Sequence, residues 1–326
     1  MRICISGATG FVGSHTARRL AEAGHDLRLL TRASSDLSAV DRIDYDRAVG
    51  DLGDGSGLAE ACRDVDVVVH IAGLTGSADP ARFHVVNAQG TASLTAAARD
   101  AGVRRFLYVS SLAALGPSVL PEDPTAAPHP VSDYGRSKLE GERLAIEERG
   151  DMAVEILRPP AVYGPRDSGL LPFFKMAKRR YITRLGAGRR RVSMIYGPDL
   201  ADAVAALIDR ELPPQVDPQI FHLSDVGGSY TWRELIAALR SAYQQRLLEI
   251  PLPAPVFGFV AQASVAAARL FKTTPMLDQS RYLELVQPAW VCDSAALEAS
   301  TGWAPATRLD DGLAATLAWY RANGWV

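Results

Sequence analysis

Tyr134 and Lys138 stand four residues apart in the stretch Tyr134-Gly135-Arg136-Ser137-Lys138. On a helix, side chains at that spacing share a face, so the ammonium lies beside the phenol. A free phenol titrates at about 10, too high for a base at neutral pH, and nearby positive charge favours its ionised form. A tyrosine so placed can take the proton of a hydroxyl, or return one to a carbonyl oxygen. Of the ten tyrosines in the chain, this one has a lysine four residues on. Upstream, an apolar run ends in Ser110-Ser111. Ser111 is the natural hydrogen-bond donor to the reacting oxygen, with Ser110 its competitor for that role. A serine-hydrolase reading fails, because there is no G-x-S-x-G elbow and no histidine or acid at a recognisable spacing.

These residues need a partner for hydride chemistry, and the first thirty residues supply a place for one. Arg2 to Ser6 is a short apolar run, followed at once by Gly7-Ala8-Thr9-Gly10-Phe11-Val12-Gly13. A helical pattern then runs to Gly24, and Leu27 to Leu30 closes a strand–helix–strand unit. Without Cβ atoms the backbone of such a turn can approach a pyrophosphate, while the helix N-terminus presents unpaired N–H groups and partial positive charge. The spacing is G-x-x-G-x-x-G, and its strand-before, helix-after context is the one a dinucleotide requires. A nicotinamide cation beside Tyr134 would add to the lysine's effect on the phenol. Where the second strand ends, a carboxylate would bind a ribose 2′-hydroxyl; here stand Arg32, Ser34 and Ser35, which favour NADP(H) over NAD(H).

The remaining elements follow the rhythm of a doubly wound parallel sheet. Ala48 to Leu52 reads as a third strand ending in Asp51, placed to meet an adenine edge. Asp64 to Ala72 is a continuous β-branched run, as expected of a strand covered on both faces, with His70 a packed strand-end residue. A long helix is expected from about Ala81 to Ala101, a fifth strand over Arg104–Ser110, and a helix capped by Ser132-Asp133 and ended by Gly150. Ala153 to Leu157 is a sixth strand. Beyond Pro165 the pattern turns mostly helical, with a strand at Arg191–Ile195, a last sheet strand at Gln219–Leu223, a helix capped by Thr231, and a linker over Pro251–Pro255. The expected architecture is an α/β Rossmann domain over 1–165, rejoined by 189–226, with a smaller, mostly helical substrate lobe from 166–188 and 227–326. The apolar helix around Val256–Leu270 suits either core packing or an apolar substrate.

Composition narrows the function. At 326 residues the chain can bury a large core, and its net charge of −2 suggests neither nucleic acid nor an anionic membrane as main partner. Arg189-Arg190-Arg191 reads as a solvated loop. Three scattered cysteines fit reduced thiols in a cytoplasm, and no C-x-x-C or H-x-x-x-H spacing offers a metal site. The glycines interrupt the first apolar run, so it is not laid out as a signal peptide. Val256 to Leu270 contains Gln262, Ser264 and Arg269 and is too short to span a bilayer.

Taken as an ordered set, these motifs resemble the extended short-chain dehydrogenase/reductase family, also called the NAD-dependent epimerase/dehydratase family. The set is Gly7-x-x-Gly10-x-x-Gly13, Asp51-Leu52, His70-x-Ala72, Asn87 with Gly90-Thr91, Val109-Ser110-Ser111, Tyr134-x-x-x-Lys138 and Arg158-Pro159-x-x-Val162-Tyr163-Gly164-Pro165. The resemblance covers residues 1 to about 205. It implies Ser111, Tyr134 and Lys138 as a catalytic trio, with Lys138 also holding the nicotinamide ribose. It implies Pro159 to Val162 as the nicotinamide rest and Asn87 as a support for the site. Cofactor contacts are thereby expected from Gly7, Thr9, Gly10, Phe11, Val12, Gly13, Arg32, Asp51, Leu52, Ala72, Asn87, Ser110, Tyr134, Lys138, Pro159 and Val162. Family members often dimerise through two long helices, which here begin near Ala81 and Tyr134.

The family holds epimerases, dehydratases and alcohol or ketone oxidoreductases, so the fold does not settle the reaction. Departures help. Sugar dehydratases carry a Thr-Asp-Glu run where this chain has Ser111-Leu112-Ala113. Nucleotide-sugar epimerases usually carry an Asn before the Leu-x-Pro at 170–172, where Ser168-Gly169 stand, and an Arg ahead of an Ile-His-Val-x-Asp stretch, where this chain reads Val192 to Asp199. The C-terminal Trp290-x-x-Asp293-x-x-x-Leu297 and Thr301-Gly302-Trp303-x-Pro305 are similar to the 3β-hydroxysteroid dehydrogenase-like and dihydroflavonol reductase-like branches. The expected function is an NADP(H)-dependent oxidoreductase interconverting a secondary alcohol and a ketone on a mainly apolar small molecule. Its alternatives are a nucleotide-sugar 4-epimerase with tightly held NAD, and a cofactor-binding scaffold without turnover.

Overall fold

The computed structural model describes residues 1–185, 188–212, 217–271 and 278–326. The expected lobe segments and the expected return to the first domain therefore include residues outside the described ones, at 186–187, 213–216 and 272–277.

In the first half, apolar runs become strands and amphipathic stretches become helices, in the order the sequence sets. β1 (Arg2–Ser6), α1 (Phe11–Glu22), β2 (Asp26–Thr31), β3 (Asp46–Val49), α2 (Leu58–Cys62) and β4 (Val67–His70) come first. α3 (Ala81–Phe83), a π-helical turn over His84–Gln89 and α4 (Gly90–Asp100) then run end to end where one long helix was expected. β5 (Arg105–Val109), α5 (Asp133–Glu148) and β6 (Ala153–Arg158) complete this half. β3 is shorter than expected. It stops at Val49 because the chain folds back there: Asp51 N–H donates to Ser56 C=O (3.0 Å) and the Asp51 carboxylate accepts from Gly53 N–H (2.7 Å).

The later elements are β7 (Ala161–Tyr163), α6 (Leu171–Lys178), β8 (Tyr181–Leu185), β9 (Arg191–Tyr196), α7 (Gly197–Asp209), β10 (Gln219–His222), β11 (Ser229–Thr231) and α8 (Trp232–Tyr243). They end with β12 (Leu248–Leu252), α9 (Ala254–Phe271), α10 (Gln279–Leu285), β13 (Ala289–Trp290), α11 (Ala295–Thr301) and α12 (Leu309–Ala322).

The main sheet has seven parallel strands in the order β10-β6-β5-β4-β1-β2-β3. Every residue of β5 and β6 is buried, as strands covered on both faces must be. α1 and α7 pack on one face with Leu20, Leu29 and Val204; α4 and α5 pack on the other with Leu94, Phe106 and Ala145. The strand order reverses between β1 and β4, so a crevice opens beyond their carboxyl ends, where open parallel sheets hold their ligands.

Two smaller sheets stand outside the main one. The expected strand over Arg191–Ile195 forms there. As β9 it pairs with β7, β11 and β13. The expected linker at Pro251 is partly a strand: β12 pairs in parallel with β8, Pro251 opposite Arg184. Among the described residues β12 pairs with β8 alone, and proline is tolerated on such an edge strand. Between these sheets a third core gathers Phe174, Ile236, Leu313 and Tyr320. No helix among the described residues is long and apolar enough to cross a membrane.

Candidate active site

At the switch point the glycine turn is held against the end of β4. Gly7 adopts φ +79°, and a Cβ there would lie 2.6 Å from the Ala72 backbone nitrogen. A Cβ on Gly13 would overlap the Gly7 carbonyl oxygen, so α1 can begin this close to β1 because that side chain is absent. Gly10 N–H donates to Gly7 C=O at 3.0 Å, fixing the turn. Thr9, Gly10, Phe11 and Val12 then form one wall of a cavity of about 1470 Å³.

The same cavity reaches well beyond that turn. At its far end lie Arg32, exposed, and Asp51 and Leu52, both half-buried. The Arg32 backbone N–H donates to Ser35 Oγ (3.1 Å), and Arg47 donates to the Arg32 carbonyl (3.0 Å), so the backbone of this loop is tied down where Arg32 lines the cavity. In the middle lie Ala72, Ser110, Ser111, Tyr134, Lys138, Pro159 and Val162. Each residue expected at the site lines this one cavity except Ser34 and Asn87, the latter standing behind it.

α5 brings Tyr134 and Lys138 to the sheet. Ser132 caps the helix by accepting from Gly135 N–H at 2.9 Å, and Gly135 lets the helix press against the Ala113 carbonyl. The end of β5 is tied to the chain after β6 by Leu112 N–H donating to Pro159 C=O (2.8 Å). The two serines face different ways. Ser110 Oγ donates to Glu142 (2.5 Å), whose carboxylate is also gripped by Arg158 through two hydrogen bonds of 2.9 and 2.6 Å. Ser111 Oγ accepts from Ala113 N–H (3.2 Å) and lies beside the Tyr134 phenol, whose pKa it draws down. Asn87, in the π-helical turn, accepts from Leu74 N–H (2.7 Å) and donates to Leu74 C=O and to Ser137 Oγ (3.0 Å each), bracing the wall against α5. His70 is fully buried, bonded to Ser6 (2.6 Å) and Thr91 (2.9 Å), and stacked on Tyr108.

The electrostatics differ from the simple expectation of a lysine acidifying its neighbour. Burial raises the Tyr134 phenol to about 12; the Ser111 hydrogen bond draws it back, and Glu284 pushes it up. Lys138 is itself drawn down to about 7 by burial, with Glu142 opposing. Its ammonium donates to Val109 C=O (3.0 Å) and lies 4.2 Å from the centre of the Tyr108 ring, rather than against the Tyr134 phenol.

Three side chains of α10 that sequence reasoning missed close over this centre. Ser280 Oγ accepts from Tyr134 N–H (3.4 Å), Glu284 accepts from Ser132 Oγ (2.5 Å), and Arg281 lines the same cavity. Burial pushes the Glu284 carboxyl up to about 7. No local signal marks a contact made across some 150 residues. Beyond α10 the cavity is walled mainly by apolar side chains, Phe173, Trp232, Leu239, Val256, Val260 and Trp290, with Arg190 and Arg191 also lining it. Asp167 interrupts it, its carboxylate tied to Gly169 and Leu170 N–H and raised by burial to about 6. The arrangement can hold a long ligand, donate to an oxygen from Ser111, and exchange a proton at Tyr134.

Known proteins bear on what that ligand is. Residues 3–220 match the model of the NAD dependent epimerase/dehydratase family. Ceramide reductase of Caulobacter vibrioides is 33% identical over 99% of this chain and 96% of its own length. UDP-glucose 4-epimerase of Vibrio cholerae is 26% identical over 98% and 96%. The solved UDP-glucose 4-epimerase of Thermotoga maritima superposes with a TM-score of 0.78 at 21% identity, covering 99% of both chains, a likeness of fold. With its parallel sheet, its glycine turn at the strand reversal and a family match over two thirds of its length, the chain belongs to the NAD-dependent epimerase/dehydratase family of extended short-chain dehydrogenases/reductases.

Proposed function

We propose that the protein is an NADP(H)-dependent reductase that interconverts a ketone and a secondary alcohol on a mainly apolar molecule. The observation that carries this reading is the continuity of one cavity from the glycine turn, past Ser111, Tyr134 and Lys138, to an apolar end bounded by Phe173, Trp232 and Trp290. The full-length likeness to a ceramide reductase supports it, since that protein's name specifies a reductase of a lipid.

The glycine turn fits a dinucleotide, because the space a Cβ would fill at Gly7 and Gly13 is taken by backbone that leaves the α1 N-terminus open. When bound, the nicotinamide cofactor supplies the hydride. The α1 N-terminus would hold its pyrophosphate, Arg32 with Ser34 and Ser35 its 2′-phosphate, Asp51 and Leu52 its adenine end, and Ala72 and Ser110 its middle. Lys138 would hold the nicotinamide ribose, and Pro159 to Val162 would flank the ring. Ser111 donates to the substrate oxygen and Tyr134 passes it a proton in reduction, or takes one in oxidation. The segments 166–188 and 227–326 act as the substrate lobe.

The second reading, a nucleotide-sugar 4-epimerase, is favoured by the likeness to the Vibrio cholerae enzyme across 98% of the chain. One pair of measurements separates the two. A reductase consumes NADPH when given a long-chain ketone and binds UDP-glucose no better than millimolar. A micromolar dissociation constant for UDP-glucose, with no NADPH consumed, overturns the reductase reading.

A further inference from the structure

Glu284 is a carboxylate placed where an apolar cavity meets the proposed proton donor. It is only partly buried, and the surface it exposes lines the same cavity as Ser111 and Tyr134. Its position is fixed from two sides. Ser132 Oγ donates to Glu284 Oε1 at 2.5 Å, and the same Ser132 oxygen caps α5 two residues before Tyr134. On α10, Trp290 Nε1 donates to the Glu284 backbone carbonyl at 2.9 Å, and Ser280, one turn earlier, receives the Tyr134 N–H. The carboxylate is thus held beside the reacting centre.

A carboxylate offers about four acceptor positions, and Ser132 takes one of them. Its neighbours in the cavity include Leu285 and Trp290, which offer little compensation for the rest, while Arg281 on the same helix contributes favourable charge. A carboxylate against apolar walls is costly unless donors meet it. The elevated affinity of Glu284 for its proton reflects that cost.

Resting on the reductase reading, we propose that Glu284 is a specificity residue that accepts a hydrogen bond from an N–H or O–H group carried on the carbon next to the reacting carbonyl. The substrate class is then an α-acylamino or α-hydroxy ketone with a long apolar chain. Ser111 and Tyr134 fix the carbonyl oxygen, the apolar end takes the chain, and Glu284 reads the neighbouring donor. Sites built around such a donor reject analogues that lack it, because the buried acceptor is left unpaired.

The test uses the full-length protein with NADPH and two long-chain ketones that differ at one atom, an α-acylamino ketone and the α-acyloxy ketone in which oxygen replaces N–H. The expected result is a kcat/KM for the amide at least about tenfold above that for the ester. In Glu284→Gln, which keeps size and loses charge, the ratio of kcat/KM for the amide to that for the ester falls several-fold, whatever happens to the two rates individually. Equal rates on the two ketones in the wild-type protein overturn the assignment without any variant. So does a Glu284→Gln variant in which both rates fall by one factor, since that marks a residue that merely props the helix. If Glu284→Gln does not fold, Glu284→Asp, which withdraws the acceptor by one methylene, must narrow the preference, and an unchanged preference overturns the assignment. Consumption of NADPH with neither ketone fells the reductase reading and this assignment together; reduction of both at equal rates fells the assignment alone.

Discussion

The hydroxyl of Ser110 donates to Glu142 at 2.5 Å in a pocket where Ser110 is 5% and Glu142 2% exposed. Ser110 is thereby turned away from chemistry at the cavity, although it lines its wall, and its neighbour Ser111 is the one that lowers the Tyr134 phenol's pKa. Replacing Ser111 with alanine is expected to lower kcat by about 10²–10³, the cost of one donor to a developing oxyanion, with cofactor affinity unchanged. Ser110→Ala should leave kcat within a few-fold and lower stability by about 1–3 kcal/mol. Steady-state kinetics and thermal melts on both variants decide it; the opposite pattern would make Ser110 the donor.

Glu142 ties α5 to the sheet through Arg158, and neither side chain is more than 3% exposed. Removing one partner strands a buried charge. Glu142→Gln should therefore cost about 3–5 kcal/mol, a fall in Tm on the order of 10 °C. A double substitution to apolar residues of similar volume should recover much of that loss. A melt of Glu142→Gln that matches the wild type would show the pair to be energetically idle.

Gly13→Ala places a methyl group on the Gly7 carbonyl. Either the turn moves or α1 does, and both displace the N–H groups that face the cavity. Loss of NADPH binding by fluorescence titration is expected, by about two orders of magnitude or more, with the far-UV spectrum of the fold retained. Undiminished binding would place the pyrophosphate elsewhere.

Much of this was legible in sequence because it is local. The glycine spacing, the β-branched run into His70 and the Tyr134–Lys138 pair each declare themselves within a few residues, and the strand–helix rhythm orders the sheet. What was not legible depends on pairs far apart in the chain. Whether Arg191–Tyr196 joins the main sheet depends on β7, β11 and β13 competing for its edges. The strand at Leu248–Leu252 needs β8 as its partner and carries a proline that reads as a break. The Tyr134–Lys138 spacing correctly put both on one helix face, but not where the ammonium points, which the Val109 carbonyl and the Tyr108 ring decide. Glu284 had no signature at all, since its meaning comes from Ser132.

Arg32 is exposed at the end of the cavity that receives the adenosine side in our reading. NADPH should bind at least about tenfold more tightly than NADH, about 1.4 kcal/mol, and Arg32→Ala should abolish that margin while leaving NADH affinity unchanged. Separate titrations with each cofactor test it. Equal affinities in the wild type, or a margin that survives the substitution, would assign the 2′-position to another group.

Lys138 links the site to stability in a way that pH reveals. Its native pKa is lowered to about 7 by burial, against about 10.4 for a free lysine. Between those values the unfolded chain holds a proton that the native chain has released, so this group's contribution to stability rises with pH across that window. Other buried groups act at different pH: His70 and His222 are depressed to about 3 and about 4 and act below neutrality, and the buried cysteine thiols, raised by burial, act from about pH 9 upward in the opposite sense. Comparing the wild type with Lys138→Met cancels these and isolates the lysine. From pH 7 to pH 9 the wild type should gain stability on the variant by on the order of 2 kcal/mol, read as a Tm difference that shifts in its favour. Parallel curves over that range would show that Lys138 keeps its proton in the folded protein, held by Glu142 and the Val109 carbonyl more strongly than burial opposes it.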